Sequence, residues 1–285
     1  MKIETKKQGA ELTSIIYNGT EMLHQGAKVL DENNKPYWGR HAPVLFPIVG
    51  QLKNGRTIID GKEYYMGQHG FARDMEFEEV CKEGELHSYI LKYNEETLKK
   101  YPYKFQLEIS YKVKNENELE IKYMVENLDN KEIQFGLGAH PAFVCDYKTG
   151  NFELEFNKDE KNMQFLKLEN GLISDKKADN IIEDGNKIHL DKHIFDNDAL
   201  ILCNIKSNTV TLKNKKTYKK VLEFDFTGFP YLGIWSKKGA PFVCIEPWFN
   251  TADYTNSNGI FKNKKDIIKL NPNERFESKF KIKFF

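Results

Sequence analysis

At 285 residues the chain is long enough to bury a substantial core and lies in the range of a large single all-β unit, so one domain over 1–285 is the starting expectation. Lys plus Arg total 43 against 42 for Asp plus Glu, a net charge of +1, and the charges are dispersed, which argues against a nucleic-acid footprint. The N-terminal MKIETKKQGAELTSI has no apolar signal-peptide core, and no stretch approaches the roughly 18 apolar residues of a membrane span; a cytoplasmic chain with no membrane partner is expected by default.

The first distinctive segment runs from Tyr37 to Asp74, through YWGRHAPVLFPIVGQLKNGR and YYMGQHGFARD. Gly, Pro, His and Arg concentrate there, which reads as irregular loops that carry a site on a rigid sheet. Only four of the 43 basic residues are arginine, Arg40, Arg56, Arg73 and Arg275, so an arginine here marks a place that needs a planar, forked donor. Arg40, Arg73 and His69 are therefore candidate site residues, with His41 a weaker one.

Beyond this segment the dominant period is two. SYILKYN from Ser88 reads as a strand, residues 95 to 100 as a turn or two of helix, and FQLEISYKV from Phe105 with LEIKYMV after KNENE as a hairpin. In FGLGAHPAF, the small residues Gly136, Gly138 and Ala139 imply close backbone approach. His140 precedes a proline, so it should end a strand in extended geometry. With a pKa near 6.5, an imidazole exchanges protons readily at neutral pH.

Further strands are expected at NFELEFN from Asn151, NTVTLKN from Asn208, VLEFDF from Val221, YLGIWSK from Tyr231 and PFVCIEPW from Pro241. In FDNDALIL, two aspartates precede an apolar run, where turn residues are the simpler reading. In CIEPWFN, Glu246 follows an apolar strand and precedes a proline, the same strand-end setting as His140. A carboxylate there is expensive to bury unless paired or used. Trp235 and Trp248 offer faces for a sugar, although core packing explains each of them alone. The last strand, FESKFKIKF, sets Phe276, Ser278, Phe280, Ile282 and Phe284 against Glu277, Lys279, Lys281 and Lys283, a half-solvated antiparallel strand. Many strands and almost no helix predict an all-β, large antiparallel β-sandwich.

Cys81, Cys145, Cys203 and Cys244 are far apart, form no C-x-x-C pair and read as reduced core residues. Phosphate-loop, dinucleotide, nucleophile-elbow and zincin motifs are missing, and the histidines lack metal-ligand spacing, so no metal or cofactor is expected.

At WGRHAPVLFPIVG, QHGFARD, GLGAHPAF, the DAL of FDNDAL and CIEPW, in that order across residues 38 to 248, the sequence resembles the aldose 1-epimerase (galactose mutarotase-like) family and its shorter LacX-like bacterial branch. The resemblance implies the family's β-supersandwich, a sugar as small-molecule substrate, and interconversion of the α and β anomers of a hexose or hexose phosphate. It implies His140 as general acid and Glu246 as general base, with Arg40, His69, Arg73 and Asp198 holding hydroxyl groups; Trp248, as a face on which a sugar can stack, joins them as a candidate substrate-binding residue. Gln51 stands where the larger galactose mutarotases carry an arginine, so the clamp is either Arg40 or Arg56. The competing readings are a non-catalytic carbohydrate-binding sandwich, which would not need His140 or Glu246, and a glycoside hydrolase, for which Asp198 is a weak second carboxylate.

Overall fold

The computed structural model describes residues 1–285, with the side chain of Lys177 outside the description. Two large antiparallel sheets dominate. The nine-stranded sheet runs in the order Lys187–Leu190, Phe152–Phe156, Thr209–Asn214, Lys219–Asp225, Arg275–Phe284, Glu118–Asn127, Phe105–Val113, Leu86–Lys92, Glu78–Glu83. The eight-stranded sheet runs Leu172–Lys177, Gln164–Glu169, Leu200–Cys203, Tyr231–Trp235, Phe242–Trp248, Gly138–Ala139, Val44–Leu45, with Ala142–Val144 also paired to Phe242–Trp248. Among the described residues the one α-helix is Glu95–Lys100, opened by a capping box between Asn94 and Thr97.

The alternation read from the sequence decides which face goes where. Leu107, Ile109, Ile121, Leu222, Phe224 and Ile282 of the larger sheet share one core cluster with Leu202, Leu232, Ile234, Val243 and Ile245 of the smaller. In the strand Phe242–Trp248 the intervening residues Phe242, Cys244, Glu246 and Trp248 therefore point to the other face. All seven residues of that strand are nevertheless buried, because the segments around residues 37–52, 68–73, 168–171 and 198–201 cover this second face and leave a cavity over it.

Three sequence expectations need correction. Within Tyr37 to Asp74, Arg56–Ile59 and Lys62–Tyr65 form an antiparallel hairpin, closed by Asp60 and Gly61, both at positive φ, the Asp-Gly signature of a tight two-residue turn. Cys81 is not a core residue; it is half-exposed, on the edge strand Glu78–Glu83, while Cys145, Cys203 and Cys244 are buried and free. Glu246 does not end its strand, which continues through Pro247 to Trp248. The proline is tolerated because the ladder is interrupted at that point: Ile245 N donates to Pro141 and Phe249 N to Leu137, and the donor that would lie between them is the one proline lacks.

Candidate active site

The cavity encloses about 440 Å³ and has on its walls His69, Arg73, His140, Asp198, Glu246 and Trp248, six of the seven residues singled out from the sequence. His140 and Glu246 come from neighbouring segments of one ladder. Gly138 pairs with Trp248 and Ala142 with Cys244, so the same register sets His140 opposite Glu246. Its Nε2 lies 3.3 Å from Glu246 Oε1, with both side chains buried. The imidazole stacks on Trp38, with centroids 4.9 Å apart, and meets the edges of Trp235 and His69 at 5.5 and 5.6 Å.

Burial sets the charge state of this pair. It holds the His140 imidazole down to about 3, helped by the positive fields of Arg73 and Arg40. It also pushes the Glu246 carboxyl well above the usual carboxylate range, with the negative field of Asp198 adding to it. The Trp248 indole N–H opposes that shift electrostatically, yet it reaches no acceptor with hydrogen-bond geometry. Burial thus favours the uncharged form of each group, and at 3.3 Å the two titrate as a coupled pair.

His69 sits at φ 65 beside Gly70 at φ 72, a strained reversal that Gly70 makes possible: a Cβ there would lie 2.2 Å from Phe46 O. Gly50 N donates to His69 Nδ1 at 3.1 Å while His69 N donates back to Gly50 O at 2.8 Å. The neutral imidazole, its pKa driven down first by burial and then by the field of His140, therefore carries its proton on Nε2 and offers a donor. Arg73 stays charged, lowered to about 10 by burial and by Arg40, and donates to Gln68 O at 2.7 Å.

Arg40, the seventh, is not on the cavity wall; it donates to Asp74 Oδ1 at 2.7 Å, and Asp74 also lies 3.9 Å from Arg73 Nε, so the carboxylate links the two guanidiniums. Arg56 is likewise not on the cavity wall; it pairs with Glu63 on the hairpin. His41 is not on the cavity wall; its backbone N–H donates to the buried Glu11 carboxylate at 2.7 Å. Asp198, at φ 76, turns the chain into Leu200–Cys203 and accepts from Ala199 N at 2.8 Å.

Sequence reasoning missed Tyr37, Trp38, Gln51 as a wall residue, Gln68 and Lys237, all on the cavity wall. The available signal was aromatic: the chain has three tryptophans, and Trp38, Trp235 and Trp248 all face this one cavity. Trp248 lies between two glycines, where an added Cβ would sit 2.8 Å from the ring at Gly138 and 2.6 Å at Gly233. Gly233→Ala is expected to force the indole aside at a cost of about 1–3 kcal/mol, read as a lower thermal midpoint together with altered tryptophan fluorescence. Arg73 Nε, His140 Nδ1 and Trp248 Nε1 are buried without a hydrogen-bond partner among the described residues, a concentration of costly orphaned groups around one cavity. One donor atom each from His140, Cys244 and Glu246 falls within 4.8 Å of the others.

The aldose 1-epimerase family matches this sequence over residues 1–283. The chain belongs to that family. It is 32% identical to the plasmid form of protein LacX of Lactococcus lactis subsp. lactis over 296 aligned residues, covering 99% of this chain and 96% of the relative. Among solved structures, a galactose mutarotase related enzyme of Lactobacillus acidophilus superposes with a TM-score of 0.88 at 31% identity, covering 99% of this chain and 94% of the other. A galactose mutarotase-like protein of Lactobacillus casei ATCC 334 gives 0.88 at 28% identity, covering 99% and 96%. Membership of the aldose 1-epimerase family implies an isomerase-type enzyme with a carbohydrate substrate, and the sandwich of two antiparallel sheets is the fold of these neighbours. Among the described residues no helix is long and apolar enough to cross a membrane.

Proposed function

We propose that the protein is a mutarotase that interconverts the α and β anomers of an aldohexose, with His140 and Glu246 exchanging protons at the anomeric centre. The observation that carries this is the single pair at the base of the cavity, 3.3 Å apart and buried. In the forward step Glu246, as carboxylate, takes the proton of the C1 hydroxyl, and His140, as imidazolium, gives its proton to the ring oxygen as the C1–O5 bond breaks. The open aldehyde turns about C1–C2 and closes from the other face with both transfers reversed. The neutral pair and the ion pair carry the same number of protons, so the reactive form arises by internal transfer and needs none from solvent. A sugar hydroxyl donating to Glu246 favours the carboxylate form.

Binding follows from fixed groups. The His69 Nε2–H and the Arg73 guanidinium donate to hydroxyl oxygens, Arg40 supports Arg73 through the shared Asp74 carboxylate, and Asp198 accepts. Trp248, Trp38 and Trp235 supply flat apolar walls for the C–H faces of a pyranose. The test is the approach of freshly dissolved α-glucose and α-galactose to anomeric equilibrium by polarimetry, and of glucose 6-phosphate by NMR exchange. Acceleration of one of these that disappears in His140→Ala and Glu246→Ala is expected; full rate in both variants would leave a sugar-binding role instead.

A further inference from the structure

We propose that His140, Cys244 and Glu246 form a binding site for a thiophilic divalent cation of the zinc class, and that such an ion inhibits the enzyme. Cys244 and Glu246 are two positions apart on the strand Phe242–Trp248 and so share a face, and the register sets His140 opposite Glu246. One nitrogen of His140, the Cys244 sulfur and one Glu246 oxygen all lie within 4.8 Å of one another. The imidazole and carboxyl groups are already 3.3 Å apart. A tetrahedral zinc with bonds of about 2.0–2.3 Å needs ligand separations of roughly 3.5 Å, which the trio reaches by small side-chain movements.

The donor set selects the ion. A sulfur and an imidazole nitrogen favour zinc-class ions over magnesium or calcium, which prefer all-oxygen shells. Bound as thiolate and carboxylate, Cys244 and Glu246 balance the charge of a dication, which suits a site enclosed by Trp38, Trp235 and Phe242; the displaced protons pass to solvent. His140 and Glu246 line the cavity while Cys244 is fully buried behind them. Three protein donors leave the fourth position of the ion open toward the cavity. The inhibitory part rests on the proposed proton exchange, because the ion takes up the lone pairs that His140 and Glu246 would use; the binding part does not.

The experiment uses the full-length protein freed of metal by a chelator. Addition of Co²⁺ as probe is expected to produce a thiolate-to-cobalt charge-transfer band that saturates at one equivalent and is removed by one equivalent of Zn²⁺. The band should persist in Cys81→Ser and vanish in Cys244→Ala, with Zn²⁺ affinity by calorimetry falling at least about tenfold. Metal-free mutarotation in Cys244→Ala should stay within about twofold of the parent and lose its sensitivity to Zn²⁺. Absence of the band in the native protein, which needs no variant to observe, or unchanged Zn²⁺ affinity in Cys244→Ala, overturns the site. Binding that leaves an active enzyme uninhibited overturns the inhibitory role, whereas a metal site on a chain with no mutarotase activity refutes the proposed function alone.

Discussion

Glu246→Gln is expected to lower kcat/KM for aldose mutarotation by about 10²- to 10⁴-fold, the range that one positioned proton-transfer group contributes, and at the same time to raise stability at alkaline pH. The amide keeps the shape of the side chain and its packing against Trp248 but cannot take a proton from the C1 hydroxyl. The stability gain follows from linkage. Burial raises the folded pKa of Glu246 above its ordinary value of 4.5, so the contribution of the protonated carboxyl is fully present below about pH 4.5. It is lost as pH rises through the folded value, because the unfolded chain ionises freely while the folded site resists. Glutamine has no proton to lose. The two proteins should therefore unfold at similar temperatures near pH 4, and the variant should gain about 1 kcal/mol by pH 8, as is common when a functional group held against its preference is removed. Thermal midpoints across this range, with polarimetric rates at pH 7, check both halves; a variant that is inactive yet no more stable at pH 8 than at pH 4 would contradict the assigned charge state.

Lys264→Met is expected to destabilise the fold by about 3 kcal/mol, measured as a shift of the denaturant midpoint at constant m-value. Lys264 Nζ donates to Asp253 Oδ1 at 2.9 Å, with both side chains almost wholly buried. Burial lowers the Lys264 pKa even though Asp253 opposes the shift, so the pair recovers its desolvation cost only in part. Removing the cation alone leaves Asp253 buried with the Lys53 backbone N–H, at 2.9 Å, as its remaining strong donor. Lys264→Met combined with Asp253→Leu should recover much of the loss, since a well-packed apolar pair often matches a buried ion pair. The single variant should also weaken sugar binding. Asp253 N donates to Gln51 O, and Ala252 is the surface on which Gly50 rests, so the ion pair supports the wall that aims His69.

The hairpin Phe105–Val113 with Glu118–Asn127 and the final strand Arg275–Phe284 were legible because one face of each strand meets the core and the other meets solvent, which leaves period two in the sequence. The strand Phe242–Trp248 is covered on both faces, so its alternation disappears, and Pro247 made Glu246 look like a strand end. The hairpin at Asp60 and Gly61 was hidden by the concentration of Gly, Pro and His around it, although the Asp-Gly pair announced it. His140, Glu246, His69 and Arg73 stood out through proline, glycine and arginine context. Trp38, Gln68 and Lys237 did not, because membership of a cavity wall depends on which loops fold over the sheet, and residue type does not record that. Asp74 was readable in principle, as the acid beside an arginine scarce enough to need a counter-charge.

The interstrand register that sets His140 opposite Glu246 separates two properties that evolution and engineering often find entangled. The spacing of the proton-exchanging pair is inherited from a backbone ladder whose strand separation hardly varies, about 4.8 Å, whereas the walls that touch the rest of the sugar belong to covering segments with no such constraint. Recognition can therefore drift, through Gln51, Gln68 or Lys237, while the reacting distance stays fixed, so that a change of preferred sugar requires no rebuilding of the chemistry.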